Sequence, residues 1–280
     1  MDPRPADDPT VRVAALFDAL SASYDAVGVD FFQPIASSLL SAMPARSGER
    51  WLDLGCGKGA VLQGVARAVG PDGRAEGIDI SPAMVELANR ALLADGLIWA
   101  AAKVGNAMSP ECEAHSFDTI ASCLVLFFLP DPAAALRSWR PLLVPGGRLG
   151  VTTFGAADEG WEQLDDQLIP YLPADIRDAR TTGSTGPFAT DAGMEELLRL
   201  AGFEEISTVV DTIPVRFDSA QRWYDFSWST GQRLMWMSIP ESQRETVRAQ
   251  VMGQFEALAD ADGSVVFSQQ IRHTLGRRPA

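Results

Sequence analysis

The run Trp51-Leu52-Asp53-Leu54-Gly55-Cys56-Gly57-Lys58-Gly59 constrains this chain more than any other stretch. A short apolar segment, a carboxylate and three alternating glycines lead into a helix-forming sequence, which describes a strand turning sharply into a helix. Glycine lets the backbone turn tightly and approach a ligand closely. The helix N-terminus that follows offers unpaired N–H groups and a positive dipole end to an anion. Asp79 stands twenty residues beyond Gly59, at the end of the next apolar segment, where a carboxylate can accept hydrogen bonds from both hydroxyls of a ribose. These features describe a nucleotide site. The glycines alone do not choose the nucleotide, because Gly55-x-Gly57-x-x-Ala60 also fits the loose dinucleotide fingerprint and admits NAD.

The rest of the chain supplies the frame for that site. Residues 11–43 carry apolar positions at helical spacing (Val13, Leu16, Phe17, Leu20, then Phe31, Ile35, Leu39, Leu40), which predicts two helices before the first strand. Strands are then expected at Arg50–Leu54, Arg74–Asp79, Trp99–Val104, Phe117–Cys123 and Gly147–Phe154, with helices at Ala60–Val69, Pro82–Leu93 and Ala133–Leu143. Ser81 is a good N-cap, with Pro82 where a missing N–H does no harm. Pro145-Gly146-Gly147 reads as a sharp turn into the fifth strand. Alternating strands and helices imply a parallel sheet with helices on both faces. Beyond residue 154 the pattern predicts a helical piece at Trp161–Leu172, a loop rich in Gly, Thr and Ser, a helix at Asp191–Leu200, a strand over 203–217 and a last strand over 264–275.

The expected architecture is α/β, a Rossmann-like, mostly parallel seven-stranded sheet. In it residues 1–10 are an unstructured tail and 11–280 one domain. Residues 11–47 form an N-terminal helical lid, 48–154 the nucleotide-binding core, and 155–190 with 218–262 a helical cap inserted after strands five and six.

Charge and cysteine usage exclude several function classes. With 37 acidic against 23 basic residues the net charge is -14, and a nucleic-acid partner draws most of its non-specific affinity from Lys and Arg. Three cysteines, Cys56, Cys112 and Cys123, with no CxxC pair give neither a disulfide framework nor a zinc site. The N-terminus is polar and acidic, and the longest apolar stretch, Ala121 to Pro130, is too short to span a bilayer. The expectation is a soluble, cytoplasmic protein with no metal, whose partners are a small-molecule acceptor and, as a candidate, a second copy of the chain.

Asp53 directly before the glycines suits an ammonium group, which S-adenosylmethionine has and NAD lacks. The site also begins only after about fifty residues, whereas a dinucleotide domain commonly starts at its first strand. The chain resembles the class I S-adenosylmethionine-dependent methyltransferases, in the group that holds ubiquinone/menaquinone-type and many natural-product enzymes. The first motif is Trp51–Gly59, the second Gly77-Ile78-Asp79-Ile80-Ser81-Pro82-Ala83-Met84, and Gly105-Asn106-Ala107 resembles the adenine-contacting turn. Phe117-Asp118-Thr119-Ile120 with Ser122-Cys123-Leu124-Val125-Leu126 resembles the fourth motif, and Leu142–Val151 the fifth. The likeness covers residues 12–154 well and the remainder in outline.

The resemblance implies that Asp53 and Gly55 hold the methionine end of S-adenosylmethionine, with Gly57 allowing close packing and Cys56 among the cofactor-binding residues. It puts Asp79 on the ribose, Ile80 and Met84 against the adenine, Asn106 and Ala107 at its edge, and Ser122 and Cys123 beneath the sulfonium. Tyr24 would close over the cofactor and is the candidate catalytic group, with Asp158 and Glu159 as lesser ones. His115, before the fourth strand, and His273, in the last, read as structural and remote. Where family members often carry His-His after the fourth strand, this chain has Phe127-Phe128.

The aromatic residues of the cap, Phe154, Trp161, Trp223, Trp228 and Trp236, with Arg233 for an acidic group, are the candidate acceptor site. That composition suits an apolar or aromatic acceptor, natural-product or quinone-like, methylated at oxygen in preference to carbon. An NAD-dependent oxidoreductase and a non-catalytic S-adenosylmethionine-binding protein are the alternative readings.

Overall fold

The computed structural model describes residues 9–21, 24, 27–156, 158–172 and 186–280. Residues 1–8 of the expected tail, and most of the Gly/Thr/Ser-rich loop, lie outside the described residues. Pro9 and Thr10 already belong to a helix, which therefore begins two residues before the expected end of the tail.

Seven strands form one sheet: β1 (Arg50–Leu54), β2 (Arg74–Asp79), β3 (Ala100–Val104), β4 (Phe117–Cys123), β5 (Leu143–Phe154), β6 (Glu204–Phe217) and β7 (Val265–Arg277). Their order across the sheet is β3-β2-β1-β4-β5-β7-β6. The β1, β2, β3, β4 and β5 pairings are parallel, and β7 runs antiparallel between β5 and β6. From β1 the chain moves outward to β2 and β3, then returns to β4 on the other side. The carboxyl ends of β1 and β4 therefore flank the switch point at which open α/β sheets bind ligands. The seven-stranded, mostly parallel architecture expected from the sequence is the one observed.

Ten helices are described among these residues: α1 (Pro9–Leu20), α2 (Phe32–Ala42), α3 (Ala60–Val69), α4 (Pro82–Ala94), α5 (Pro132–Trp139), α6 (Glu159–Asp165), α7 (Asp191–Leu200), α8 (Ala220–Trp228), α9 (Arg233–Ser238) and α10 (Glu241–Leu258). Proline and glycine account for the boundaries that differ from expectation. Pro141 lacks an N–H and would clash with the preceding turn, so α5 stops at Trp139 and a single 3-10 turn, Arg140–Leu142, carries the chain into β5. Pro145-Gly146-Gly147 lies inside β5 as an irregularity: Leu143 already pairs with Phe117, and the register shifts before Arg148 pairs with Thr119. Trp99 stays outside β3 and donates its indole N–H to Ala66 O at 2.7 Å.

Apolar residues of β1, β4 and β5 pack beneath α5 and α7, with Trp139 fully buried and donating to Ala107 O. On the opposite face α2, α3 and α4 contribute Leu39, Val61, Leu62, Val65 and Ala88. A third core fills the cap: Trp161, Phe217, Trp223, Phe226, Trp236, Phe255 and Phe267 pack against one another and against Phe31. No described helix is long and apolar enough to cross a membrane.

Phe217 is fully buried and meets the rings of Trp161, Phe226, Phe255 and Phe267. Phe217→Ala is expected to destabilise the protein by about 3–5 kcal/mol in urea unfolding. Calorimetry should find S-adenosylhomocysteine binding unchanged at a temperature where the variant is folded, because Phe217 itself does not line the cavity described next.

Candidate functional site

The glycine turn after β1 hangs on β2. Gly55 N and Cys56 N both donate to Ile78 O, at 2.7 and 3.0 Å, and Gly57 N donates to Asp79 Oδ2 at 2.8 Å. Gly55 has φ +76°, and a Cβ there would lie 2.3 Å from Val125 Cγ2, so both backbone and packing demand glycine. At Gly57 φ is +51°, and a Cβ would meet no protein atom within 4 Å. Conformation alone selects that glycine.

Asp53 is 3% exposed at the end of β1. One carboxylate oxygen takes the N–H of Leu62 in the first turn of α3. Its Oδ2 is buried with no hydrogen-bond partner. Burial, reinforced by the nearby Asp79, pushes the Asp53 carboxyl up to about 7. A buried unpaired carboxylate oxygen is costly, and a cationic ligand group would relieve it.

Asp79 accepts from Gly57 N and, at 2.9 Å, from Ser81 N, which leaves a lone pair on each oxygen for hydroxyl donors. Burial raises its pKa as well. Ser81 caps α4 by accepting from Met84 N and also donates to Asp18 of α1. Asp18 in turn accepts from Ala83 N at 3.3 Å. The lid helix is thereby tied to the residues that follow the ribose candidate.

These groups open into a cavity of about 410 Å³, within the usual range for a small-molecule site. Of the cofactor candidates, Tyr24, Asp53, Gly55, Cys56, Gly57, Asp79, Ile80, Met84, Asn106, Ala107 and Cys123 all line it. Ser122 does not: it is fully buried and its hydroxyl donates to Leu54 O at 3.1 Å, joining β4 to β1. Side chains alternate along a strand, so adjacent Ser122 and Cys123 cannot both face the ligand. Asn106 Oδ1 holds Met108 N at 2.8 Å and shapes the turn after β3.

The structure does not bring the acceptor candidates to this cavity. Trp161, Trp223 and Trp236 are buried in the cap core, and Trp236 Nε1 donates to Ser227 Oγ. Phe154 stacks on Phe127 at 5.5 Å. The guanidinium groups of Arg233 and Arg244 lie 5.7 and 6.0 Å from the Trp228 ring centroid, and Arg233 donates to the Ala19 carbonyl at 3.5 Å. Asp158 and Glu159 are likewise outside the cavity wall; Asp158 caps α6 by accepting from Gly160 N and Trp161 N. Composition could not distinguish an aromatic core within the cap from a ligand wall.

The aromatic wall comes from elsewhere. Phe17, Tyr24, Phe32 and Phe128 line the cavity as an unbroken chain of rings, with centroids 5.5 Å apart for Phe17–Phe128, 6.1 Å for Phe17–Tyr24 and 4.6 Å for Tyr24–Phe32. Lys58 lines it too. Helical spacing made Phe17 read as part of an apolar helix face, nothing in the sequence singled out Phe32, and Phe128 drew notice only for the histidine it replaces.

His115, at the amino end of β4, sits beside Arg278. His273 is fully buried, and its ring nitrogens meet Thr152 Oγ1 and Ser38 Oγ at 2.9 Å each. Thr152 pairs with Cys123 across the sheet and hydrogen-bonds its thiol, so His273 stands two side chains from the cavity. Burial holds it neutral, with its pKa lowered to about 4.

The methyltransferase-domain family profile matches residues 52–151. Nocamycin O-methyltransferase of Saccharothrix syringae is 32% identical over 279 residues, covering 95% of this chain and 98% of its own length. This chain belongs to the S-adenosylmethionine-dependent methyltransferases. The aklanonic acid methyltransferase of a Streptomyces species is 39% identical over 58% of this chain and 74% of its own. Among solved structures, the YcgJ protein of Bacillus subtilis shares the fold with a TM-score of 0.59 at 18% identity, covering 88% of this chain and 99% of that one.

The cavity residues fit the family's cofactor, since a methionyl ammonium would supply the partner that Asp53 Oδ2 lacks. A cation favours the ionised carboxylate, so S-adenosylhomocysteine affinity should fall about tenfold per pH unit below pH 7 and level off above it. Calorimetry from pH 5.5 to 8.5 checks this, and Asp53→Asn should bind weakly with a flat profile. Asp79→Ala should weaken binding by roughly tenfold or more, through loss of charged hydrogen bonds; an unchanged Kd would show the ribose lies elsewhere.

Proposed function

We propose that this methyltransferase acts on an oxygen of a small, apolar, aromatic natural product whose acceptor group is acidic. The observation that carries the proposal is the ring wall Phe17–Tyr24–Phe32–Phe128, which offers flat apolar surface to a planar acceptor. Asp53 takes the methionyl ammonium, Asp79 the ribose hydroxyls, and Ile80, Met84, Asn106 and Ala107 surround the adenine. Cys123, Leu124 and Phe128, at the end of β4, then form the floor at which the reacting groups meet.

When bound, S-adenosylmethionine supplies a methyl group activated by a positive sulfur. The chain's own work is to align the acceptor oxygen in line with it and to exclude water. Among the described residues, the ionisable side chains on the lining are Tyr24, Asp53, Cys56, Lys58, Asp79 and Cys123. Both carboxylates are engaged with the cofactor, and burial keeps both thiols protonated, Cys123 up to about 12. An acceptor oxygen ionised at neutral pH, a carboxylate or acidic enol, asks for no base from such a lining. The names of the two relatives, one an O-methyltransferase and the other acting on an acid, support the same acceptor class.

The test is turnover of anthraquinone carboxylic acids with S-[methyl-13C]adenosylmethionine, read by mass spectrometry and carbon NMR. An O-methyl product is expected; a C-methyl product would overturn the choice of oxygen. Phe128→Ala should raise the acceptor KM by about tenfold, the loss of one buried ring face, while leaving the Kd for S-adenosylhomocysteine unchanged.

A further inference from the structure

The methionyl tail of the cofactor carries a carboxylate as well as an ammonium, and the site described so far answers only the ammonium. Lys58 lies five residues beyond Asp53, on the lining of the same cavity. Its side chain is half-buried and its ammonium donates to Tyr24 O at 2.6 Å. A lysine ammonium has three donors, and this one makes no ion pair among the described residues. In a protein of net charge -14, an unpaired cation on a cavity wall is a site for an anion.

The carbonyl that Lys58 holds is also informative. Tyr24 N donates to Leu20 O, the last residue of α1, so Tyr24 O stands just beyond the lid helix, near the negative end of its dipole. Tyr24 and Phe17 of this segment form the cavity wall. The other fastening of α1 is Asp18, which accepts from Ser81 Oγ and Ala83 N.

We propose that Lys58 anchors the carboxylate of the cofactor's methionyl tail while holding Tyr24 O, and so makes closure of the N-terminal lid conditional on a cofactor with an intact amino-acid tail. An ammonium drawn to the tail is fixed in place, and the lid carbonyl gains a stationary donor. Without the tail, the same side chain is free to leave Tyr24 for solvent, and the lid loses that fastening. The proposal rests on the cofactor of the family and is independent of the acceptor.

Two ligands separate the tail from the nucleoside: S-adenosylhomocysteine, which has the amino acid, and 5′-methylthioadenosine, which lacks it. Amide hydrogen exchange over residues 13–20 of the full-length protein should slow with the first and not with the second. In Lys58→Met, S-adenosylhomocysteine should bind about tenfold or more weakly, 5′-methylthioadenosine as in the parent, and saturating S-adenosylhomocysteine should no longer protect α1. Lys58→Arg should restore both binding and protection. If Lys58→Met weakens both ligands alike, or leaves S-adenosylhomocysteine binding and protection intact, the assignment is wrong. A raised acceptor KM with unchanged cofactor binding would likewise overturn it and give Lys58 to the acidic acceptor.

Discussion

The buried carboxylate of Asp53 is the constraint around which the site is arranged. Removing an ionised carboxylate from water costs several kcal/mol unless hydrogen bonds and opposite charge replace the solvent. The fold supplies one N–H from α3 and leaves the other oxygen without a partner. Because β1 ends where the strand order reverses, Asp53 stands on the lining of the crevice. Binding a cation there completes an electrostatic arrangement that the protein alone holds half-finished, and a neutral ligand of the same shape gains nothing comparable.

From Asp53 a continuous set of hydrogen bonds leads outward. The turn after β1 is suspended from Ile78 O and Asp79, Asp79 receives Ser81 N, and Ser81 donates to Asp18 on α1. Each link uses a group that the next element leaves unsatisfied: the amides of a glycine turn, the first N–H groups of α4, the carboxylate of a lid residue. Displacing any one of them strands a buried polar group, which costs more than the bond itself contributes. The ribose carboxylate is thereby held in place from both sides before the ligand arrives.

Much of this was legible in the sequence, for physical reasons that also mark where legibility ends. Strands β1, β2 and β4 are largely buried short segments, and their limits match. Asp53, Asp79 and Asn106 sit at or just beyond strand ends, where sequence position fixes spatial position closely. Side-chain direction is harder: Ser122 and Cys123 are neighbours, and only the pairing of β4 with β1 and β5 decides that Cys123 faces the cavity. The lid and cap were least legible. Trp161, Trp223 and Trp236 have the composition of a ligand wall, but each large ring is buried by other residues of the cap, whereas Phe17, Phe32 and Phe128 look like ordinary core residues and face the cavity.

That exchange of roles changes how selectivity for an acceptor is to be understood. A wall carried by the rigid cap would be preformed, and recognition would consist of fitting a fixed shape. Here three of the four rings, Phe17, Tyr24 and Phe32, belong to the N-terminal segment, which Asp18 and Lys58 fasten to the core. The acceptor surface is therefore assembled only when that segment is in place. The cap serves as a support: Phe31, next to Phe32, packs on Trp161 and Phe226, so the aromatic core holds the lid's far end steady while its near end works.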